Sequence, residues 1–475
     1  MSYLKTVQYL DSFINYERKN EYSYKRSFKL ERIRDFLCLI GNPQDSLRCI
    51  HIAGTKGKGS VSAFTAFVLR AAGYKVGLYT SPHLLDVRER IRILHIRGGR
   101  SPKRQPSGFI DLEGMIGKRA LDELVGRLKP VINRYNRVSK YGPLSFFEVY
   151  TALAFQYFKE KKVDFAVLET GLGGRLDATN VVRSHVCGIT SISLDHTQKL
   201  GNTPAEIAAE KAGIIKMPRD AGMADARLNV VSAPQDVEVL KVLRDRCRRQ
   251  GGVFYEIGKD IFCESGYACL EYQEFSIRGI LGDFKNLRIK LLGKHQQVNA
   301  ALGVSLVVLL GMTDGLRIKK KVIKEGLYQT AWPGRFQIFS GEPLIVLDGA
   351  HNSASARVLR ENLKEYFPGK RIICIVGISL DKDIRGICAE LIPYCEVVIF
   401  SRANNPRAAE PGDIAACARA CAGARGMSVA RDVGTALELA RSNADRDSVI
   451  VVAGSLFLVA EARALLAKGL HARIR

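Results

Sequence analysis

Residues 54–60 read "GTKGKGS": three glycines, two lysines and two hydroxyl side chains in seven positions. An apolar run, "LRCIHIA", precedes them. A run with apolar residues at helical spacing, "SVSAFTAFVLRAAGY", follows and offers Gly73 as a stop. Strand, tight loop and helix together form a phosphate cradle, because the loop amides and the helix N-terminus face an anion. Gly54, Gly57 and Gly59 let the backbone close on a phosphate. Lys58 can reach outer phosphates, and the Ser60 hydroxyl can meet a magnesium ion. The loop departs from the common G-x-x-x-x-G-K-[ST] pattern, since Gly59 separates Lys58 from Ser60. The bland alternative is a flexible strand–helix turn.

Other polar groups stand at the ends of apolar runs. In "VDFAVLETGLGGRLDATN" a strand ends on Glu169 and a glycine-rich loop follows. In "VCGITSISLDHTQKLGNT" a second strand is expected to end on Asp195 and His196. Ligands sit at the carboxyl ends of strands in parallel sheets, and a carboxylate there can serve magnesium. "TPAEIAAEKAGIIK" reads as a helix with Thr203 as N-cap, Pro204 at N1 and Glu206 at N3, a capping box. Lys211 falls in its last turn, where spacing alone makes it a cation meeting the helix dipole. Asn299 in "GKHQQVNAALG", Arg335 in "WPGRFQ", and Asp348 and His351 in "LIVLDGAHN" are further candidates.

These residues need a frame to hold them. With 475 residues, two domains are expected. The hydrophobic fraction of 47% and charged fraction of 25% are those of a soluble globular protein. No apolar run reaches the length of a membrane span, and the charged N-terminus lacks the form of a secretory signal. Eleven cysteines without paired spacing fit a reduced, cytoplasmic setting. The net charge of +24 is compatible with nucleic acid, with polyanionic small substrates, or with a merely solvated surface. The basic clusters are local, and none is interleaved with aromatic residues as a single-strand platform would be.

From residue 47 to about 310, strand-like and helix-like runs alternate, which predicts an α/β domain with a mainly parallel sheet. The section 225–292 is richer in strands and predicts an antiparallel addition. A second alternating stretch begins near residue 343 and predicts a smaller, Rossmann-like α/β domain. The break at Trp332, Pro333 and Gly334 puts the boundary between domains 1–331 and 332–475. The segment "HIRGGRSPKRQPSG", residues 95–108, reads as an exposed basic loop.

In order along the chain, "LERIRDFLCLIGNPQ", "GTKGKGS", "LYTSPHL", "RERIRI", "ETGLGGRLDATN", "LDHTQKLGNTPAEIAAEKAGIIK", "WPGRFQ" and "LDGAHN" resemble the folylpolyglutamate synthases and the bifunctional dihydrofolate/folylpolyglutamate synthases of the Mur ligase superfamily. The resemblance implies a P-loop ATPase domain followed by a glutamate-ligase domain. It implies ATP-dependent joining of L-glutamate to a folate, and to dihydropteroate, through an acyl phosphate. Carried over by position, Gly54, Thr55, Gly57, Lys58, Gly59 and Ser60 would bind ATP, with Asn299, Arg335 and Asp348. Ser60, Ser81, Glu169 and His196 would hold magnesium, two ions in all. Lys58, Lys211 and His351 would be catalytic, Lys211 as a carbamate. Gly174, Arg175 and Asp177, in the loop between the ATP and folate sites, would meet substrate. A monomer acting on small molecules, without nucleic acid or membrane, is expected. The rivals are a Mur-type ligase on a cell-wall precursor and a basic nucleic-acid-binding P-loop ATPase.

Overall fold

A computed structural model describes residues 2–19, 22–95, 112–218, 227–421 and 426–472. Apart from His95, the basic loop 95–108 lies outside the described residues.

Seven strands form the first sheet: β1 (Cys49–Ala53), β2 (Val76–Tyr79), β3 (Ile91–Leu94), β4 (Phe165–Glu169), β5 (Val186–Ile189), β6 (Asn229–Ser232) and β7 (Val253–Glu256). Their order is β3-β2-β4-β1-β5-β6-β7. Only the β2–β3 pair is antiparallel. Every residue of β1, β2, β4, β5 and β6 is buried. That explains their continuous apolar runs: a sheet covered on both faces has no solvent side to alternate with. The Lys58–Ala71 and Lys294–Asp314 helices share one apolar cluster against the sheet. The Lys118–Val138 and Phe146–Glu160 helices share another. The Lys294–Asp314 helix is long and apolar enough to cross a membrane, but 78% of its apolar window is buried in the fold, as a core helix would be.

The expected antiparallel addition is a three-stranded sheet, β8 (Ile261–Ala268), β9 (Gln273–Gly279) and β10 (Phe284–Ile289), in the order β10-β9-β8. The third sheet contains β11 (Gln337–Phe339), β12 (Leu344–Leu347), β13 (Arg371–Val376), β14 (Val397–Phe400), β15 (Gly426–Val429) and β16 (Ser448–Ala453), in the order β11-β12-β16-β13-β14-β15. It is parallel except for β11. Sequence periodicity does not pick out β3, β6, β11 and β15; of these β3, β11 and β15 are edge strands, while β6, four residues long, lies between β5 and β7. An edge strand is short and needs no long apolar run.

In the first sheet β1 lies between β4 and β5, so the chain leaves it toward both sides. Such a switch point opens a crevice at the carboxyl ends of the strands. One wall of that crevice is fixed by an ion pair. Arg32 Nε donates to Glu148 at 2.8 and 3.0 Å, and its Nη2 donates to Ser27 O at 2.8 Å. Glu148 also accepts from Ser145 N and Oγ, both at 2.7 Å, closing the capping box of the Phe146–Glu160 helix. The Arg32 and Glu148 side chains are 7% and 6% exposed. Removing one partner of so buried a pair strands the other charge. Glu148→Ala is therefore expected to lower unfolding stability by about 3–5 kcal/mol, read from the denaturation midpoint.

Candidate active site

A cavity of about 620 Å³ lies at the carboxyl edge of the first sheet and is lined from both α/β units. It collects Gly54, Thr55, Gly57, Lys58, Gly59, Ser60, Ser81, Glu169, His196, Lys211, Asn299, Arg335, Asp348 and His351. All the nucleotide, metal and catalytic candidates thus face one space, although they come from eight separate stretches of chain.

The phosphate loop leaves β1 and enters the Lys58–Ala71 helix with Gly57 as N-cap. Gly54 has φ +150° and Gly57 φ +91°. A Cβ at Gly54 would stand 1.8 Å from Thr190 Oγ1, and one at Gly57 2.4 Å from Asn299 Oδ1. Both positions therefore require glycine, for backbone and for space. Lys58 Nζ donates to Gly54 O at 3.1 Å, and Lys211 Nζ to the same carbonyl at 2.8 Å. Lys211 is buried at the end of the Pro204–Lys211 helix, whose Thr203 capping box forms as the sequence indicates. Burial and then the Lys58 charge hold the Lys211 amine well below the usual lysine range.

Glu169 ends β4 as expected, and its Oε2 accepts from Ser81 N at 3.1 Å. Burial pushes its carboxyl up to about 7, against the opposing pull of Lys58. His196 is a correction. β5 stops at Ile189, and Asp195 and His196 lie in the following loop, where His196 caps the Thr197–Leu200 helix with φ +52°. Beyond Ile189 the backbone turns to the phosphate loop, and Ser191 O accepts from the amides of Thr55 and Lys56 at 2.9 and 3.2 Å. Burial lowers the His196 imidazole to about 3, so it is neutral near pH 7.

A chain of contacts that sequence reasoning missed crosses the cavity. Lys56 Nζ donates to Asp195 Oδ2 at 2.8 Å and lies 2.9 Å from His351 Nε2. Lys382 Nζ, from the second α/β unit, donates to Asp195 Oδ1 at 3.2 Å. His351 Nδ1 is 2.7 Å from Gly349 O, which assigns the ring proton to Nδ1 and leaves Nε2 to accept from Lys56. Burial raises the Asp195 carboxyl, but Lys56, His196 and Lys382 outweigh it and hold it well below the carboxylate range. Burial, partly offset by Asp195, lowers the Lys56 amine to about 8. The Lys56 charge, then burial, keeps His351 neutral. The signal was present in "GTKGKGS", which carries a second lysine two residues before Lys58. Asp348 is pinned by amides, Oδ2 from Phe336 N and Oδ1 from Ala350 N, both at 2.8 Å. Burial raises its carboxyl despite Arg335.

The three substrate candidates are not among the residues lining this cavity. Asp177 is buried and organises its own loop, accepting from the amides of Gly171 and Leu172 at 2.9 Å and of Thr179 at 3.0 Å. Gly174 lies against the backbone of Glu210 and Lys211. Arg175 pairs with Glu210 at 2.7 Å. These contacts shape the loop whose Gly171, Leu172, Gly173 and Leu176 do line the cleft.

Among the described residues no three His, Cys, Asp or Glu side chains gather into a metal cluster. Hydroxyl oxygens of Ser60 and Ser81 with the Glu169 carboxylate are nonetheless donors that suit magnesium, which keeps water and phosphate oxygens for its other positions. Glu169 forms no salt bridge among the described residues, so a cation would supply the charge its surroundings withhold.

Residues 143–307 match the Mur ligase middle domain, and residues 334–456 the Mur ligase, glutamate ligase domain. The chain is similar to a dihydrofolate synthase/folylpolyglutamate synthase of Bacillus subtilis, 32% identical over 91% of this chain and 94% of that one. Its fold is similar to Mycobacterium tuberculosis folylpolyglutamate synthase complexed with ADP, with a TM-score of 0.84, 28% identity and 98% of each chain covered. It is also similar to an FPGS-AMPPCP-folate complex, with a TM-score of 0.76, 28% identity, and 98% of this chain and 100% of that one covered.

The raised Glu169 carboxyl sets a pH dependence. Unfolded, it ionises near its ordinary value of 4.5; folded and metal-free, near 7. Between those values the folded state binds more protons than the unfolded one, so this group's contribution to stability is lost as pH rises through that window. The loss is at most about 3 kcal/mol. Melting curves from pH 4.5 to 8 are expected to flatten in Glu169→Gln, and in the parent protein with magnesium and an ATP analogue added.

Proposed function

The chain belongs to the folylpolyglutamate synthase/dihydrofolate synthase family of Mur ligases, and on that premise we propose how its cleft carries out ATP-dependent addition of glutamate to a folate carboxyl. The observation that carries the reading is the phosphate loop. Two lysines converge on its Gly54 carbonyl, and Arg335, Asp348 and His351 of the other α/β unit line the same space.

A carboxylate does not react with an amine in water, so it needs activation. The folate carboxylate oxygen attacks the γ-phosphorus of ATP, giving an acyl phosphate and ADP. The glutamate amine then attacks the acyl carbon, phosphate leaves, and the amine proton passes to a base. Gly54, Gly57 and Gly59 hold the phosphates through backbone amides, Thr55 sets the course of the loop with its own amide donating to Ser191 O at 2.9 Å, and Lys58 neutralises the transferring group. Asn299, Arg335 and Asp348 hold the rest of the nucleotide. Ser60, Ser81, Glu169, His196 and a carbamate on Lys211 would hold two magnesium ions, which would supply charge neutralisation. His351, kept neutral by Lys56 and burial, acts by holding the Lys56 ammonium in the cleft through its Nε2. The domains are 1–331 and 332–475, and closure between them gates the chemistry. The enzyme acts as a cytoplasmic monomer, without nucleic acid or membrane.

Dihydropteroate is a second substrate on this reading. The N-terminal segment supplies Tyr16, Tyr22 and Phe28 to the cavity, with ring centroids 4.8, 5.4 and 5.9 Å apart. Such a wall suits a flat heterocycle. ATP turnover is to be measured with folate, tetrahydrofolate and dihydropteroate, each with and without L-glutamate. Glutamate-dependent ADP release is expected with tetrahydrofolate and dihydropteroate. A protein that extends tetrahydrofolate but makes no dihydrofolate is monofunctional.

Carbamylation requires a neutral amine, and the lowered proton affinity of Lys211 provides one. Lys211→Ala is expected to lose most turnover while keeping its fold and its ATP affinity. A short carboxylic acid is expected to restore part of the rate. Near-normal turnover in Lys211→Ala, or no lysine carbamate signal after exposure to carbon-13 bicarbonate, would remove the carbamate from the mechanism.

A further inference from the structure

A second cavity, of about 360 Å³, lies apart from the cleft between the Leu30–Leu39 helix, the glycine-rich loop, the end of the Lys211 helix and the Val237–Arg249 helix. Five basic side chains line it: Arg34, Arg175, Lys216, Arg246 and Arg249. No acidic side chain does so among the described residues. Glu210, on Arg175, is the only carboxylate that an ion pair joins to any of the five among those residues. Cations brought together without counter-charge repel one another, and a fold keeps such an arrangement at a cost unless an anion offsets it.

Asn180 adds a second, independent sign. It is 3% exposed, and its Nδ2 donates to Arg175 O at 3.0 Å and Gly213 O at 3.1 Å. Its Oδ1 is buried without any partner, at a residue that lines this cavity. A buried unpaired acceptor asks for a donor. We propose that this rear cavity binds a compact oligoanion that also carries an N–H or O–H donor, separate from the ligase cleft. A partly protonated phosphate chain and a γ-linked glutamyl chain share that chemistry. Each presents negative groups to the arginines and a hydrogen to Asn180 Oδ1.

Lys216 fits the same picture. Its Nζ donates to Asn180 O, and burial followed by the Arg34 charge lowers its amine to about 7. An anion would hold its proton in place. The cavity also abuts the ligase machinery from behind. Ala212 and Gly213 line it just beyond Lys211, and Arg175 N donates to Glu210 O at 2.7 Å.

The test is calorimetric titration of the full chain with tripolyphosphate and, separately, with tri-γ-glutamate. Ionic strength is fixed, and the ligase cleft is first saturated with magnesium and a non-hydrolysable ATP analogue. At least one probe is expected to bind one site per chain. Which one binds distinguishes a phosphate source from a glutamyl source. The exposed pair Arg34→Gln/Arg249→Gln is expected to weaken that binding about tenfold or more, while leaving analogue affinity and the melting temperature unchanged. If the double variant does not fold, Arg34→Gln alone is expected to weaken binding severalfold. Failure of both probes to bind, or binding by a folded variant as tight as that of the parent, overturns the proposal.

Discussion

The carbonyl of Gly54 is the point on which the site depends. It accepts hydrogen bonds from the ammonium groups of Lys58 and Lys211, which arrive from different helices. Two cations at one neutral dipole repel each other, and burial adds to the cost of keeping both charged. The conflict is resolved by taking the proton from one of them or by bringing in anions. Lys211 is deeply enclosed, and its proton affinity falls. The loop can present this carbonyl only because Gly54 has no side chain to strike Thr190. Thr190 stands there because β5 is the strand next to β1. Sheet order, loop sequence and lysine chemistry are thus one constraint.

A second constraint joins the two α/β units. Asp195 is shared by Lys56 of the phosphate loop and Lys382 of the second unit, and Lys56 also meets His351. The N-terminal segment adds another tie: the Glu17 carboxylate pairs with the buried Arg90, while its carbonyl accepts from Arg407. Polar contacts across a cleft differ from apolar ones in a way that suits domain movement. They can be exchanged for phosphate or carboxylate groups of a bound substrate at little net cost, because each cation needs an anion rather than a particular anion. An apolar seam would have to be torn open.

Much of this was legible in the sequence, for identifiable reasons. Strands buried on both faces are unbroken apolar runs, so β1, β4, β5, β13 and β16 could be read directly. Glycines with φ near +90° and a capping box carry their own residue signatures, so Gly57 and Thr203 were readable too. β3, β6, β11 and β15 were not, because three or four residues each leave too brief a pattern. His196 was placed one loop too early, because apolar Ile192 and Leu194 prolong the strand-like pattern beyond Ile189. Gly174, Arg175 and Asp177 are polar or small residues in a conspicuous loop. The pattern cannot tell a residue that shapes a loop from one that faces the ligand.

Lys56, Asp195 and Lys382 expose a deeper limit. None belongs to a periodic pattern, and 187 positions separate Asp195 from Lys382. Their importance is electrostatic: Asp195 shifts Lys56, and the Lys56 and Lys382 charges shift Asp195, because burial lowers the screening between them. Spacing along the chain carries no information about such a field. Only the folded arrangement reveals that a carboxylate is held ionised by two lysines, or that an imidazole is kept neutral by a lysine 2.9 Å away in space and nearly three hundred residues away in sequence. Sequence signatures therefore mark where backbone must bend or bury. The charge states that make the bent backbone reactive arise when distant side chains are brought under one low-dielectric roof.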